Sequence, residues 1–229
     1  MRCRPAEPSD ITAIEEIFTA TVGLGAPAPF ELPAGYTELC LGWYLGAGRP
    51  DAAVLVDEGR VVGYALVCCD EAAHRSWVRR RAVRFGLRSI PAALAPRGDP
   101  ARKSFVRLRL RDGLAMGAGP PAPARAHAHV NLLRSVRTGT GGRHLVRHID
   151  STVASAGLDA WYAEINAPVG RRAPALARLG GEVVHRAPNR TLTALAGRDV
   201  ERLTLLRRLE DAVPLFGAAR PHQDVIGQP

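Results

Sequence analysis

Apolar residues recur along the chain in two rhythms, and these rhythms predict the elements. Residues 2–6 read as a short strand. Ile11, Ile14, Phe18 and Val22 then fall at helical spacing behind a cap at Ser9 or Asp10, and Glu15 and Glu16 sit near the start, where negative charge suits the helix dipole. Residues 23–35 hold three Pro and three Gly and predict a loop, and Tyr36 to Leu45 predicts a second helix. The run 52–69 reads as strand, tight turn, strand, with Gly59 supplying a positive φ.

The rhythm then breaks over 70–125. Trp77 to Leu87 fits a basic helix with Val78, Ala82 and Phe85 on one side, residues 91–100 are Pro-rich, and Phe105 to Leu110 alternates apolar residues with Arg. Residues 117–125 predict a loop, so the stretch reads as an insertion between two strands. Order returns with a strand at 126–133 and a Gly/Thr turn at 138–142. A helix follows, with Leu145, Ile149 and Val153 buried and Gly157 at its end. A strand at 160–166, a short helix at 174–179 and a hairpin of EVVHR with TLTAL around Pro188-Asn189 come next. Residues 199–213 predict a charged amphipathic helix, followed by a mobile tail. The domain organisation expected is one α/β domain over 1–198, with the insertion at 70–125 inside it and the helix and tail at 199–229.

Composition agrees with a soluble globular chain: 229 residues, 46% hydrophobic and 23% charged. The net charge of +9 points to an acidic partner until its distribution is read. Segment 75–111 carries 12 basic residues and one acid, and the rest of the chain is slightly acidic. All but one of the 31 basic residues are Arg, which suits a GC-rich genome and weakens the case for phosphate recognition. The segment admits three readings: a solvated face, a lining for the acceptor cleft, or a nucleic-acid surface. Only Trp77 and Phe105 are available for base stacking, which argues against the third. Cys3, Cys40, Cys68 and Cys69 form no CxxC pair, so neither a zinc framework nor disulfides are expected. The N-terminus lacks the apolar core of a signal peptide, and no run reaches the ~20 apolar residues of a membrane span; a cytoplasmic protein is expected.

Candidate chemistry concentrates in HAHVNLLRSVRTGTGGRHL, residues 127–145. A strand enters a Gly-rich turn that opens a helix. The first helical N–H groups lack internal partners and the dipole is positive there, so the turn suits a pyrophosphate. It is neither a Walker A loop nor a dinucleotide fingerprint. Strand alternation puts His127, His129 and Asn131 on one face, and Tyr162, Glu164 and Asn166 on one face of the next strand. His129 would need little adjustment to act as a base near neutral pH. The pair His127-x-His129 has no visible third ligand, and no metal is expected.

Motif and element order together resemble the GNAT superfamily of acetyl-CoA-dependent N-acyltransferases, over about residues 2–195 apart from the insertion. The family signature Arg/Gln-x-x-Gly-x-Gly/Ala here reads Arg137-Thr138-Gly139-Thr140-Gly141-Gly142, with Thr140 replacing the middle glycine. The resemblance implies a mostly antiparallel central sheet flanked by helices, with the basic insertion between the third and fourth strands. It implies acetyl-CoA as cosubstrate, its pyrophosphate on the amides of Gly139, Thr140, Gly141, Gly142 and Arg143. The pantetheine arm would lie along Leu132 and Leu133, with Arg137 and Asn166 close by. Transfer would be direct, to an amine of a small molecule, with His129, Glu164, Asn131 and His127 as the candidate catalytic residues; an insertion that lines the acceptor cleft would suit an anionic acceptor. The Tyr that many relatives carry before Leu-Gly-Phe is missing from Ala175 to Gly181. A GNAT-fold module that binds without catalysing is therefore the alternative. Neither nucleic acid nor membrane is expected as a partner, and the chain is expected as monomer or homodimer.

Overall fold

The structure, a computed structural model, describes residues 1–94, 99–117, 120–137, 139–170 and 181–210. Its centre is a seven-stranded open sheet of order β1-β2-β3-β4-β5-β7-β6. The strands are β1 (Arg2–Pro5), β2 (Ala53–Asp57), β3 (Arg60–Cys68), β4 (Ala126–Leu132), β5 (Ala160–Pro168), β6 (Glu182–Pro188) and β7 (Val200–Arg208). Every neighbouring pair is antiparallel except β4 and β5. A parallel pair needs a crossover, and the helix α5 (Gly139–Ser155) supplies it.

Helices α1 (Ile11–Thr21) and α2 (Tyr36–Leu45) cover one face of the sheet and α5 covers the other. The first core joins Ile14, Phe18, Tyr36, Leu41 and Tyr44 to Val54, Tyr64 and Leu66; the second joins Leu145, Ile149 and Val153 to Leu55, Val67 and Trp161. The first-helix cap differs from expectation. Asp10 makes no cap bond to α1; its carboxylate takes two hydrogen bonds from Arg4, at 2.6 and 2.8 Å, and one from the Glu7 N–H. The β2–β3 turn has φ of 47° at Glu58 and 77° at Gly59, two left-handed residues in succession, as the twist of a two-residue hairpin requires.

The insertion is helical: α3 (Glu71–Leu94) and α4 (Pro100–Gly117). It belongs to the core, because Phe85 and Phe105 are buried and both rings pack on Tyr36, at 5.9 and 5.3 Å. The far end of α4 reaches across the sheet to helix α6 (Arg190–Ala196), where the buried Asp112 carboxylate accepts from the Thr191 N–H at 2.9 Å and its hydroxyl at 2.6 Å. Arg75, Arg79, Arg80, Arg84 and Arg88 are exposed on α3. Arg109 instead turns inward over the Tyr36 ring, 5.6 Å from its centroid.

Two predicted elements are corrected. TLTAL is not a strand of a hairpin with EVVHR; it lies in α6, capped by the Asn189 side chain on the Leu192 N–H and ended by Gly197 at φ 62°. Residues 200–208 are not an amphipathic helix but β7, hydrogen-bonded on both sides to β5 and β6. Residues 200–208 therefore contribute an inner strand of the sheet rather than part of an appended helix. The short helix predicted over 174–179 and the tail lie outside the described residues. Among the described residues, no helix is long and apolar enough to cross a membrane.

Candidate active site

Strands β4 and β5 pair at only two positions, Ala126 with Trp161 and His127 with Tyr162. Beyond them the two strands part, and Val130 to Leu132 run along an edge without a strand partner on that side. Antiparallel pairing sends backbone groups alternately to one neighbour and the other. The Leu133 N–H goes to the Val62 carbonyl, at 2.9 Å. By alternation Leu132 and Val130 aim their backbone groups into the cleft. This corrects the expectation for Leu133, whose N–H is taken up by β3. The Leu132 carbonyl accepts from Arg137 Nε at 3.0 Å, and the Arg137 guanidinium lies against Gly25, where a Cβ would collide with it. Arg137 thus closes the turn between β4 and α5.

A 3-10 turn at Arg134–Val136 joins β4 to α5, whose N-terminus opens beside the cleft. Its first amides, at Gly139, Thr140, Gly141 and Gly142, are those a helix leaves without internal partners. The two glycines differ in role. A Cβ on Gly141 would press on the Val136 carbonyl at 3.1 Å and on Leu55 at 3.2 Å, so Gly141 is set by packing. A Cβ on Gly142 would meet nothing within 4 Å, so this residue faces open space. Arg143 reaches back to the Thr140 hydroxyl, at 3.4 Å.

The four candidate catalytic residues fare differently. The His129 ring is wedged among Phe18, Tyr44 and Tyr64. Burial, then the neighbouring His127 charge, push its pKa down to about 4, so it is neutral at pH 7. The expectation that it needs little adjustment is thereby corrected, because an apolar wall penalises the imidazolium. Asn131 donates its side-chain amide to the Tyr64 hydroxyl at 2.8 Å, which ties β4 to β3. Glu164 stands in the splayed half of β5 with its side chain 39% exposed, 3.5 Å from Arg202. Asn166 accepts from Asn189 at 2.8 Å, a bond that fastens β5 to the start of α6. His127 is buried and hydrogen-bonded through Nε2 to the Tyr44 hydroxyl.

Three groups around His127 come from outside the sequence motif: Tyr44 on α2, and Glu71 and His74 in the first turn of α3. Glu71 Oε2 lies 2.6 Å from His127 Nδ1. Burial works to raise the Glu71 pKa, but contact with His127 and His74 outweighs it and leaves the carboxyl below its usual range. Burial first, then the nearby Glu71 carboxylate, hold the Tyr162 phenol protonated. The one sequence signal was Glu71-x-x-His74, an i, i+3 pair that shares a helix face. Nothing local ties that pair to a strand more than fifty residues away.

The thiols offer no covalent route. Burial raises the Cys68 pKa to about 12, and the other three are raised as well, Cys40 with them. Protonated thiols are poor nucleophiles.

No family model matches the chain, and no curated relative does. Solved structures do match. SsHAT is similar over 91% of this chain and 98% of its own, with a TM-score of 0.59 at 23% identity. The Drosophila melanogaster polyamine N-acetyltransferase, an enzyme that catalyses formation of N-acetylagmatine, matches over 90% and 99% with a TM-score of 0.57 at 14% identity. Salmonella typhimurium yncA, in a structure with its cofactor acetyl-CoA, covers 97% of this chain and 98% of its own, with a TM-score of 0.53 at 16% identity. Seven strands in this order, one parallel pair that splays, and these neighbours establish that the chain has the GNAT fold.

Proposed function

We propose that the protein is an acetyl-CoA-dependent N-acyltransferase that acts directly on an amine of a small molecule. The observation that carries this reading is the splay of β4 from β5 with the α5 N-terminus at its mouth. The amides of Gly139 to Arg143 hold the pyrophosphate, and Gly142 leaves room for it. The pantetheine arm lies along the cleft edge of Val130 and Leu132 as an added strand. A β4 N–H aimed into the cleft stabilises the oxyanion formed when the amine attacks the thioester. Glu164, directly or through a water, takes the proton from the ammonium, and the departing thiolate is protonated from solvent. Acetyl-CoA in one structural neighbour, and agmatine and polyamine acetylation by others, support cosubstrate and acceptor class. Arg109, turned inward from α4 over Tyr36 and within electrostatic reach of Glu164, gives the acceptor side a cation that suits an acceptor carrying an anionic group.

Two measurements test this. Acetyl-CoA at 100 times its Kd should stabilise the protein by about 2.7 kcal/mol, read as a rise in unfolding midpoint. Thiol release should then follow with at least one member of an amine panel that includes agmatine, polyamines and amino acids. Absence of stabilisation sinks the reading; stabilisation without turnover on any amine supports the non-catalytic binding module. For an active enzyme, Glu164→Ala should lower the rate at saturating acetyl-CoA by about tenfold or more. An unchanged rate removes Glu164 as the proton acceptor.

A further inference from the structure

Glu71 and His74 lie one helical turn apart, and His127 faces both from the start of β4. The His74 and His127 rings are 4.3 Å apart between centroids. One donor atom from each of the three residues falls within 4.8 Å of the other two. Glu71 Oε2 is 2.6 Å from His127 Nδ1 and 4.0 Å from His74 Nδ1. Yet neither Oε2 nor His127 Nδ1, both buried, completes a hydrogen bond. Two potential ligand atoms thus meet at close range, and the site around them stays partly open to solvent through Glu71 and His74.

From this geometry we infer that Glu71, His74 and His127 form a zinc(II) site that fastens the first turn of α3 to β4. Zinc binds imidazole nitrogen and carboxylate oxygen at about 2.0–2.2 Å and in tetrahedral array, which puts donors about 3.3 Å apart. The separations of 2.6 and 4.0 Å from Glu71 bracket that value, and the two imidazole donors lie within 4.8 Å of each other, so modest side-chain shifts draw all three onto one ion. A set of two imidazoles and one carboxylate, with no thiolate, suits zinc among the divalent ions and leaves a fourth position for water. The partners of the ligands are also in place. The Tyr44 hydroxyl occupies His127 Nε2 and so turns Nδ1 toward Glu71. Arg75 takes the other Glu71 oxygen, Oε1, at 3.3 Å. The side chains of Glu71 and His74 are 14% and 17% exposed, which gives an ion a way in from solvent. The absence of a third ligand for His127-x-His129 no longer argues against a metal, since the insertion brings two and His129 takes no part.

The full chain, stripped with a chelator and dialysed, should bind one equivalent of zinc(II) by calorimetry with a Kd at or below about micromolar. Cobalt(II) in place of zinc should give the visible ligand-field absorption of a four- or five-coordinate ion. His74→Ala and Glu71→Gln, each confirmed folded by circular dichroism, should weaken zinc binding at least about 100-fold, because even loss of a supporting partner costs 10–100-fold. His144→Ala, on α5 and outside the cluster, should bind as the parent does. Failure of the folded parent to bind zinc saturably at one equivalent overturns the assignment. So does binding by His74→Ala or Glu71→Gln as tight as the parent's, which would place the ion elsewhere.

Discussion

Replacing Gly142 by aspartate is expected to weaken acetyl-CoA binding at least about 100-fold without lowering the stability of the free protein. The position separates charge from packing, because a Cβ there meets nothing within 4 Å. In the free protein a carboxylate in the first turn of α5 is favourable to the helix dipole, by about 0.3–1 kcal/mol. Against a bound pyrophosphate the same charge is repulsive. Two unit charges about 4 Å apart at an effective dielectric near 20 interact by about 4 kcal/mol, or roughly a thousandfold, and solvent screening at the helix end reduces this toward a hundredfold. Gly142→Ala is the steric control and should bind within a few-fold of the parent. Gly141→Ala should instead lose stability, because its methyl group meets the Val136 carbonyl and Leu55. Calorimetric titration of acetyl-CoA with the three variants checks all of this. Equal affinity in Gly142→Asp and the parent would remove the phosphate from this turn.

Asp150→Ala should cost about 3 kcal/mol of folding stability, the largest effect expected outside the proposed cofactor site. Asp150 projects from α5 and holds the sheet by two strands. Its Oδ1 accepts from Trp161 Nε1 at 2.8 Å and from Arg207 Nε at 2.9 Å, and its Oδ2 accepts from Arg207 at 2.8 Å. The Arg207 side chain is only 2% exposed. Removing the carboxylate from a buried ion pair costs about 3–5 kcal/mol, and the loss here stands at the low end of that range because Arg207 keeps other interactions. Asp150→Asn, which keeps an acceptor but not the charge, should fall between alanine and the parent. Urea unfolding at constant slope reads the difference. A loss below about 1 kcal/mol for Asp150→Ala would mean that this pair does not anchor β7 to α5.

The same pair explains why β7 was misread. Residues 200–208, VERLTLLRR, place charged and apolar side chains at intervals that fit a helix as well as a strand. An inner strand with both faces covered does not alternate cleanly, and Glu201, Thr204 and Arg207 are all buried here. Two of them pair with other elements: Glu201 with Arg186 of β6 at 3.0 Å, and Arg207 with Asp150 of α5. The error at TLTAL was of a different kind. A cap at Asn189 and a stop at Gly197 were present in the sequence, but β-branched residues made a hairpin look equally good.

What the sequence determined by itself is what depends on neighbours along the chain. The helix Tyr36–Leu45, the β2–β3 hairpin, the strand at 126 and the α5 helix with its glycine stop all follow from short-range periodicity and turn chemistry. The Gly-rich turn, and through it the likeness to the GNAT superfamily, is equally local, since strand, turn and helix N-terminus are contiguous. Tertiary structure alone decided the rest. It buried His129 against three aromatic rings and removed it as a ready base, and it left Glu164 open to solvent where β5 parts from β4. It folded the basic segment into two helices, with Arg75, Arg79, Arg80, Arg84 and Arg88 exposed on α3 and Arg109 turned in over Tyr36. It also brought Glu71 and His74 against His127, across more than fifty residues of chain. The physical reason is common to all of these. Desolvation and charge pairing act through space, so a side chain's protonation and partners are set by what packs against it rather than by what precedes and follows it in sequence.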